Sequence, residues 1–295
     1  MSHVFVMGGA SYNSVITLDK LPGNTPQTIH NCHFKETIGN TGAGKALSLA
    51  TLGFRVDFHA LVGDDTFATH VKSYLNKPLL HFLTDIDPKG TERHLNILNA
   101  EGERISIFIN PSSDTPNVDY LKLAPFIKKA DYVVLNIANY CRYAIDMCVH
   151  LNKTIWTDLH DYDGKNQYHQ DFIDAADYIF LSSDNLPNYK VFMKSQIKKG
   201  KKLVVCTHAK DGATALNEFG EWITQPIFDA FKMKNANGAG DAFFSGFLYG
   251  HQKGYDIKKC MRYAAIVAGM CVESMELWNE KCTAEFIQKK QLELQ

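Results

Sequence analysis

The sequence of 295 residues lacks any apolar run long enough to cross a membrane. A spanning helix needs about 20 consecutive apolar residues, and no stretch here approaches that length. The chain also lacks a charged and then apolar leader, because Ser2-His3 passes directly into a strand-like segment. We therefore expect a cytoplasmic protein that has no membrane partner.

Cysteine pairs with the spacing of a metal site or a redox motif are missing as well. The seven cysteines include no Cys-x-x-Cys motif and are odd in number, which indicates reduced thiols of an intracellular protein. Cys32 lies between His30 and His33, but no second pair of ligands follows at zinc-like spacing. We expect neither a disulfide framework nor a zinc site.

The chain has no excess of basic residues. It carries 31 Lys and Arg against 32 Asp and Glu, a formal net charge of −1, whereas nucleic-acid binding normally needs a basic face. This balance argues against a nucleic-acid partner. Arginines that could clamp a second phosphate group are also few, although Arg93 and Arg104 flank two predicted strands, so phosphorylated sugars are disfavoured as substrates.

Short apolar segments alternate with helical patterns through most of the chain. Val4–Met7 and Arg55–Val62 are the first two strand-like segments, and an Ala- and Leu-rich helical pattern closed by Gly53 lies between them. This alternation predicts an α/β fold of three layers, with helices on both faces of a mainly parallel sheet and ligands at the carboxyl ends of its strands. The later strand-like segments are Tyr132–Ile137, Thr154–Leu159, Tyr178–Leu181 and Leu203–Cys206, and the later helical ones are 241–253, Ile257–Ser274 and Ala284 to near the end.

Two segments break this alternation. Val15–Thr37 and Glu92–Asn110 alternate apolar and polar residues, which predicts antiparallel strands, with Ala100–Glu103 as a hairpin connection. We interpret them as a small β-sheet that forms a lid, and an ordinary extra hairpin is the alternative. The predicted organisation is one domain over 1–295, with lid strands inserted from about 12–38 and 80–112.

The segment Asn235–Asp241 is typical of a phosphate-binding loop. Gly238 and Gly240 flank an alanine, so the backbone can turn its N–H groups towards one point, and the helix that follows adds the positive end of its dipole. A carboxylate at such a site disfavours simple anion binding, so we interpret Asp241 as a base that takes a proton from an attacking hydroxyl. The alternative is a glycine that ends one element before a new helix begins.

A second glycine-rich loop, Gly39–Lys45, fits the spacing of a nucleotide-binding P-loop. The P-loop needs Ser or Thr after its lysine to bind Mg²⁺, and Ala46 offers no oxygen. It should also follow a buried strand, whereas His33–Thr37 is polar. We therefore disfavour a P-loop NTPase and expect only a modest loss of activity from Lys45→Ala.

Four landmarks in this order resemble the ribokinase-like, or PfkB-type, family of carbohydrate and nucleoside kinases. Gly39–Gly53 matches the spacing of the family's early glycine-rich segment, and Gly63-Asp64-Asp65 resembles its Gly-Asp-Asp after the second strand. Thr207–Ala213 resembles its nucleotide loop, and Asn235–Asp241 resembles its Asp-Thr-x-Gly-Ala-Gly-Asp signature. The resemblance covers nearly everything from Val4 to about Asn279.

This resemblance implies an ATP-dependent kinase that phosphorylates a sugar or sugar-like hydroxyl. Asp241 would be the general base, and the backbone amides of Gly238, Ala239 and Gly240 would stabilise the transferring phosphoryl group. Implied nucleotide-binding residues are Thr207, Ala209, Gly212, Asn237, Ala265 and Gly269, although tight helix packing is an alternative for the last two. Implied substrate-binding residues are Ser11, Asn13, Gly39, Asn40, Thr41, Asn139 and Asp241.

The resemblance also implies Mg²⁺ and a monovalent cation, but the sequence departs from the family at both places. The family's Asn-x-x-Glu corresponds to Ser182–Asn185, which contains no glutamate, so Asp184 would contact Mg²⁺ through water or would simply cap a helix. Asn235 stands where the signature begins with Asp, which puts a monovalent-cation site in doubt.

Departures on the substrate side favour an unusual acceptor. Asn13 replaces the family's usual Asp, Ser11 stands where Asn is common, and Gly44 stands where Asn is usual. A modified sugar, or a nucleoside such as pseudouridine, would suit this wider pocket of uncharged groups. A catalytically weakened member that acts as a ligand-binding sensor is the alternative from another class. Members of the family often dimerise through their lids, and the lid edge here would permit a homodimer.

Overall fold

The computed structural model of the protein describes residues 1–99, 103–115 and 117–294. The predicted hairpin connection Ala100–Glu103 falls largely on residues 100–102 and so lies outside the described residues. In chain order the strands are β1 (His3–Met7), β2 (Ser11–Thr17), β3 (His33–Gly39), β4 (Arg55–Val62), β5 (Leu80–Ile86), β6 (Arg93–Leu98), β7 (Arg104–Asn110), β8 (Tyr132–Leu135), β9 (Ile155–Asp158), β10 (Tyr178–Ser182), β11 (Leu203–Thr207), β12 (Ala213–Asn217) and β13 (Trp222–Gln225).

The helices lie where the chain crosses from one strand to the next, and then at its carboxyl end. In chain order they are α1 (Thr41–Thr51), α2 (Thr66–Tyr74), α3 (Tyr120–Lys129), α4 (Ile145–His150), α5 (Gln170–Ala175), α6 (Tyr189–Lys198), α7 (Ala239–Gln252), α8 (Ile257–Val272) and α9 (Ala284–Glu293).

The large sheet has the strand order β13-β12-β11-β10-β9-β8-β1-β4-β5 within the described residues. The strands from β11 to β5 are parallel, and β12 and β13 are added in antiparallel pairing at one edge. In its middle, Val6 pairs with Phe58 on one side and Val134 on the other. The six apolar runs of the sequence all belong to this parallel part, as the alternation predicted.

Helices cover both faces of this sheet. Helices α1, α2, α7, α8 and α9 share one apolar core with one face, and α3, α4, α5 and α6 share another core with the opposite face. The fold is therefore the predicted α/β arrangement with a mainly parallel sheet.

The small sheet, here called the lid sheet, has the order β3-β2-β6-β7. Strands β2 and β3 pair antiparallel, as do β6 and β7, but β2 and β6 pair in parallel. The sequence led us to expect antiparallel strands throughout, because alternation identifies strands but not the direction in which two separate hairpins join. Residues 80–86 were also expected near the lid, and they form β5 of the large sheet instead.

Candidate active site

The site lies at the carboxyl ends of the central parallel strands, where α1 begins directly above the turn after β1. Asn40 has φ 79° and caps α1 by accepting the backbone N–H of Thr41. A side chain at Gly42 would come within 2.6 Å of the Gly9 carbonyl oxygen. Only a glycine at position 42 therefore lets α1 approach this turn so closely.

The loop Asn235–Asp241 leads into α7 and leaves amide groups unpaired. Gly238 has φ 83°, and a Cβ atom there would lie 2.2 Å from the Leu277 carbonyl oxygen, so the position requires glycine. Among the described residues the N–H groups of Gly238 and Gly240 have no hydrogen-bond acceptor, whereas the N–H of Ala239 donates to the Ala236 carbonyl. The first turn of α7 therefore presents unpaired donors to an anion.

Asp241 lies in this first turn, and it is held by a lysine that the sequence analysis set aside. Lys45 Nζ lies 2.5 Å from Asp241 Oδ1 and 3.0 Å from Asp158 Oδ2. Lys45 is 0% exposed, and the two aspartates are 6% and 7% exposed. The sequence indicated Lys45 only as a P-loop lysine and gave no sign of this contact, which arises because α1 packs against α7. The modest effect expected from Lys45→Ala stays a prediction.

Burial and the mutual electrostatic interactions of Lys45, Asp158 and Asp241 shift the pKa values of these three groups. Burial raises the pKa of Asp241 above its ordinary value, although Lys45 opposes that rise. Burial also disfavours the charged Lys45, but the two carboxylates outweigh it and raise the pKa of the ammonium. Burial opposes ionisation of Asp158 too, but His160 and Lys45 hold the pKa of Asp158 well below its usual range. Of the two acidic groups beside the Lys45 ammonium, Asp241 is therefore the more basic.

The predicted substrate residues on β2 and α1 lie close to the turn after β1. Ser11 donates its hydroxyl to Asn13 Oδ1 at 2.8 Å, and both side chains are buried. A Cβ atom at Gly39 would lie 1.9 Å from Asn13 Nδ2, so Gly39 leaves room for that amide. Thr41 Oγ1 lies 3.5 Å from the buried Asn136 Oδ1. Uncharged hydroxyl and amide groups thus line this part of the site.

Two further polar residues, which were not among the predicted site residues, belong to this part of the site. Glu92 accepts a hydrogen bond from Asn40 Nδ2 at 3.0 Å and lies 2.6 Å from His94 Nε2. Asn136 stands directly after β8 and donates to the Met7 carbonyl. The predicted residue Asn139, three positions later, instead contacts Asp114 and Arg142. A polar residue near the carboxyl end of the predicted strand Tyr132–Ile137 is the signal that could have identified Asn136.

The predicted nucleotide residues fall into two groups. Thr207 ends β11, and Ala209 and Gly212 follow in a tight turn with φ values of 47° and 88°. Ala265 lies on the inner side of α8. A Cβ atom at Gly269 would lie 2.2 Å from the Phe231 ring, so the missing side chain at Gly269 makes room for that ring.

The lid sheet contacts the phosphate-binding loop itself and the segment that follows α8. Arg104 Nη1 donates to Asn237 Oδ1 at 3.1 Å. Lys35 donates to the Met275 carbonyl at 2.6 Å and lies 3.1 Å from Glu276, which also accepts the Thr37 hydroxyl. The lid sheet therefore covers the region in front of α7.

The predicted metal contact is a single exposed carboxylate. Asp184 follows β10, and its backbone N–H donates to Ser182 Oγ at 3.0 Å. Within residues 1–99, 103–115 and 117–294, no three His, Cys, Asp or Glu side chains come together as a metal site would require. Asp184 fits Mg²⁺ that is bound mainly by phosphate oxygens and water, since this ion often takes only one or two carboxylates from the protein.

Asn235, which replaces the aspartate of the signature, bonds within its own loop. Its side chain accepts the Asn237 N–H at 3.0 Å and donates to the Met275 carbonyl at 3.3 Å. The amide thus fixes the loop without adding a negative charge.

No helix in the described part of the chain is long and apolar enough to span a membrane.

Comparison with known proteins shows relatives along nearly the whole chain. The chain is 28% identical over 267 residues to an acarbose 7(IV)-phosphotransferase of Actinoplanes sp., covering 89% of both proteins. It is 26% identical over 287 residues to a 5-dehydro-2-deoxygluconokinase of Clostridium perfringens, covering 87% of this chain and 84% of that relative.

Solved structures show the same fold. A microbiome-derived acarbose kinase superimposes with a TM-score of 0.88 at 23% identity, covering 99% of both chains. A ribokinase from Giardia lamblia superimposes with a TM-score of 0.85 at 15% identity, covering 100% of this chain and 99% of the other. The model of the pfkB family of carbohydrate kinases matches residues 1–281. With the ribokinase fold and a family match over nearly its full length, this chain belongs to the PfkB family of carbohydrate kinases.

Proposed function

We propose that the protein transfers the γ-phosphoryl group of ATP to a hydroxyl of a sugar or sugar-like acceptor. The observation that carries this proposal is Asp241, a buried carboxylate beside unpaired amides at the start of α7. A base and an anion-binding site within one helical turn suit phosphoryl transfer, because this reaction depends mainly on positioning and on electrostatic stabilisation.

In the proposed reaction Asp241 accepts the proton of the acceptor hydroxyl. The hydroxyl oxygen forms a bond to the γ-phosphorus while the bond to the oxygen bridging the β- and γ-phosphates breaks, and ADP leaves. The unpaired N–H groups of Gly238 and Gly240 stabilise charge on the transferring group. Ala239 is less suited to this role, because its N–H already has an acceptor. Bound Mg²⁺, near Asp184, would neutralise phosphate charge.

We propose nucleotide binding along Thr207, Ala209 and Gly212, with Asn237 beside the phosphates. In this arrangement the nucleotide crosses the carboxyl end of β11, and the turn after it provides close backbone approach. Gly269 would contribute indirectly, by allowing Phe231 to lie against α8.

An acarbose-type oligosaccharide is the first acceptor to test. Relatives named for acarbose phosphorylation occur both among curated proteins and among solved structures. The proposed acceptor site, with Ser11, Asn13, Asn40 and Asn136, offers hydroxyl and amide groups, which suit the many hydroxyls of such a compound. Glu92 adds one carboxylate beside Asn40.

The experiment is ADP release from ATP with a panel of acceptors: acarbose, ribose, fructose, 5-dehydro-2-deoxygluconate, adenosine and pseudouridine. We expect the highest kcat/KM with a carbohydrate. If a nucleoside gives the highest kcat/KM instead, the protein is a nucleoside kinase and the proposed sugar acceptor is wrong. Tight binding of one compound with no ADP release would instead favour a ligand-binding sensor.

We also propose a homodimer through the outer face of the lid sheet. On β3 and β7 this face carries the exposed apolar side chains Phe34, Ile105 and Ile107. The opposite face carries polar residues such as Asn13 and Thr37, together with the exposed Phe108. Exposed apolar surface of this kind favours a protein partner. Sedimentation velocity should show a dimer that Ile107→Lys converts to a monomer, and a wild-type monomer at micromolar concentration would contradict this part of the proposal.

A further inference from the structure

Lys45 joins three separate elements of the fold through one buried ammonium. The lysine lies on α1, Asp158 ends β9, and Asp241 begins α7, and Lys45 Nζ contacts both carboxylates at 3.0 and 2.5 Å. The ammonium also lies 5.3 Å from the centre of the Phe244 ring, one turn along α7 from Asp241. A fully buried lysine is costly unless it is paired, so both its charge and its position are constrained by these contacts.

Gly44 and Lys45, adjacent residues of α1, determine the surroundings of both oxygens of the Asp241 carboxylate. Oδ1 is held by Lys45, whereas Oδ2 has no hydrogen-bond partner in the described part of the chain. A Cβ atom at Gly44 would lie 2.6 Å from Oδ2. Gly44 therefore leaves the space around the oxygen that Lys45 leaves unpaired.

We propose that Lys45 is a positioning residue for phosphoryl transfer: it fixes Oδ1 of Asp241, keeps the carboxylate ionised, and leaves Oδ2 to accept the proton of the acceptor hydroxyl. This inference rests on the proposed function, because it assigns Asp241 as the base. It adds that the base depends on a charged partner from the glycine-rich segment of α1.

The charged groups around Asp241 determine what loss of Lys45 will do. Asp158 and His160 lie on the β9 side, Lys45 on the α1 side, and Cys271 on the α8 side. Burial raises the pKa of Cys271 to about 12, so this thiol is neutral near pH 7. Burial and Asp158 both raise the pKa of Asp241, while Lys45 and His160 lower it. Removing the ammonium therefore raises the pKa of Asp241 further.

Lys45→Met keeps an unbranched side chain as far as Cε and removes the charged Nζ. Since the ionised form of Asp241 is the base, activity falls as the pH drops through its pKa. We expect the acid limb of the kcat profile to move up by about 1 to 3 pH units. Asp158→Asn removes a like charge, so it should move the same limb towards lower pH. Opposite shifts from two neighbours of one carboxylate are not expected from general loss of stability.

Lys201→Met is the matched control for loss of a buried lysine. Lys201 is also buried, and its ammonium donates to the Asp174 carbonyl at 2.7 Å before β11 begins, at the opposite end of the sheet from Asp241. This variant should lower the melting temperature without shifting the pH profile. If Lys45→Met likewise lowers only the melting temperature, Lys45 has a structural role and the inference is wrong.

A second test needs no turnover. Because the pKa of Asp241 is raised in the folded protein, its ionisation destabilises the fold as the pH rises from the ordinary value of 3.8 through the folded value. Between pH 5 and pH 8 the melting temperature should fall further in Lys45→Met than in the wild-type protein. Adding Asp241→Asn to the same chain should remove this additional fall. If the additional fall persists in the double variant, Lys45 does not control the charge of Asp241 and the inference is wrong.

These two tests separate the inference from the proposed function. If the wild-type protein releases no ADP with any acceptor, the proposed function fails, while the melting comparison still decides whether Lys45 controls the charge of Asp241. If the protein is active and the acid limb does not move in Lys45→Met, the proposed function stands and the inference fails.

Discussion

Replacing Asp241 with Asn is expected to lower kcat by about 100-fold or more. Asparagine has nearly the same shape as aspartate, but its amide cannot accept the proton of the acceptor hydroxyl. The substitution also removes the negative charge that pairs with Lys45 at 2.5 Å. The effect should fall on kcat more than on the KM for ATP, because most of the proposed nucleotide contacts, Thr207, Ala209 and Gly212, lie at the end of β11 and not on α7.

Steady-state kinetics with the best acceptor measure this effect, and a melting curve serves as the control for folding. The Asp241→Asn protein should remain folded, since Lys45 keeps Asp158 as a partner at 3.0 Å. Normal turnover by a folded Asp241→Asn protein would show that Asp241 is not the base.

Gly238→Ala should cause a large loss of stability. Gly238 has φ 83°, a conformation that costs an alanine about 1 to 2 kcal/mol. The added Cβ atom would also lie 2.2 Å from the Leu277 carbonyl oxygen, so the backbone would have to shift. We expect a total loss of about 3 kcal/mol in the free energy of unfolding, or roughly 5 °C or more in melting temperature. Turnover should fall with it, because the amides of the loop lose their alignment.

Gly240→Ala is the control for this prediction. A Cβ atom at Gly240 meets nothing within 4 Å, so the fold should tolerate it. If the open space beside Gly240 receives the phosphoryl group, this variant should keep its melting temperature and still lose turnover, by about 10- to 100-fold. Equal melting temperatures for Gly238→Ala and the wild-type protein would contradict the account of the loop.

The sequence predicted the parallel part of the fold well because its strands are buried on both faces. Such strands are continuous apolar runs, and each of them was recognised. The outer strands were harder to predict. Strand β5 mixes half-buried and exposed residues and lies at an edge, so its pattern resembles that of the lid strands. Strand β13 is short and partly exposed, which gives little periodic signal.

The candidate site could be predicted from the sequence where one segment carries the proposed chemistry, and not where segments distant along the chain meet. Gly238 and Asp241 lie in one loop, so their spacing alone indicated an anion site beside a base. Lys45 was judged only as a P-loop lysine, and its real partners are 113 and 196 residues away along the chain. Periodicity does not report such contacts. The rule that carboxyl ends of parallel strands meet at one edge could have brought Asp158 into the site, because it is the second-last residue of the predicted strand Thr154–Leu159.

The central claim is that the γ-phosphoryl group of ATP is transferred to a carbohydrate hydroxyl. The most direct measurement is mass spectrometry of the acceptor after incubation with ATP whose γ-phosphoryl oxygens carry ¹⁸O. We predict that one panel carbohydrate gains a single phosphoryl group that carries the label, and that this product is nearly absent with Asp241→Asn. Labelled inorganic phosphate with every acceptor unchanged would contradict the claim, because water and not a carbohydrate would then be the phosphoryl acceptor.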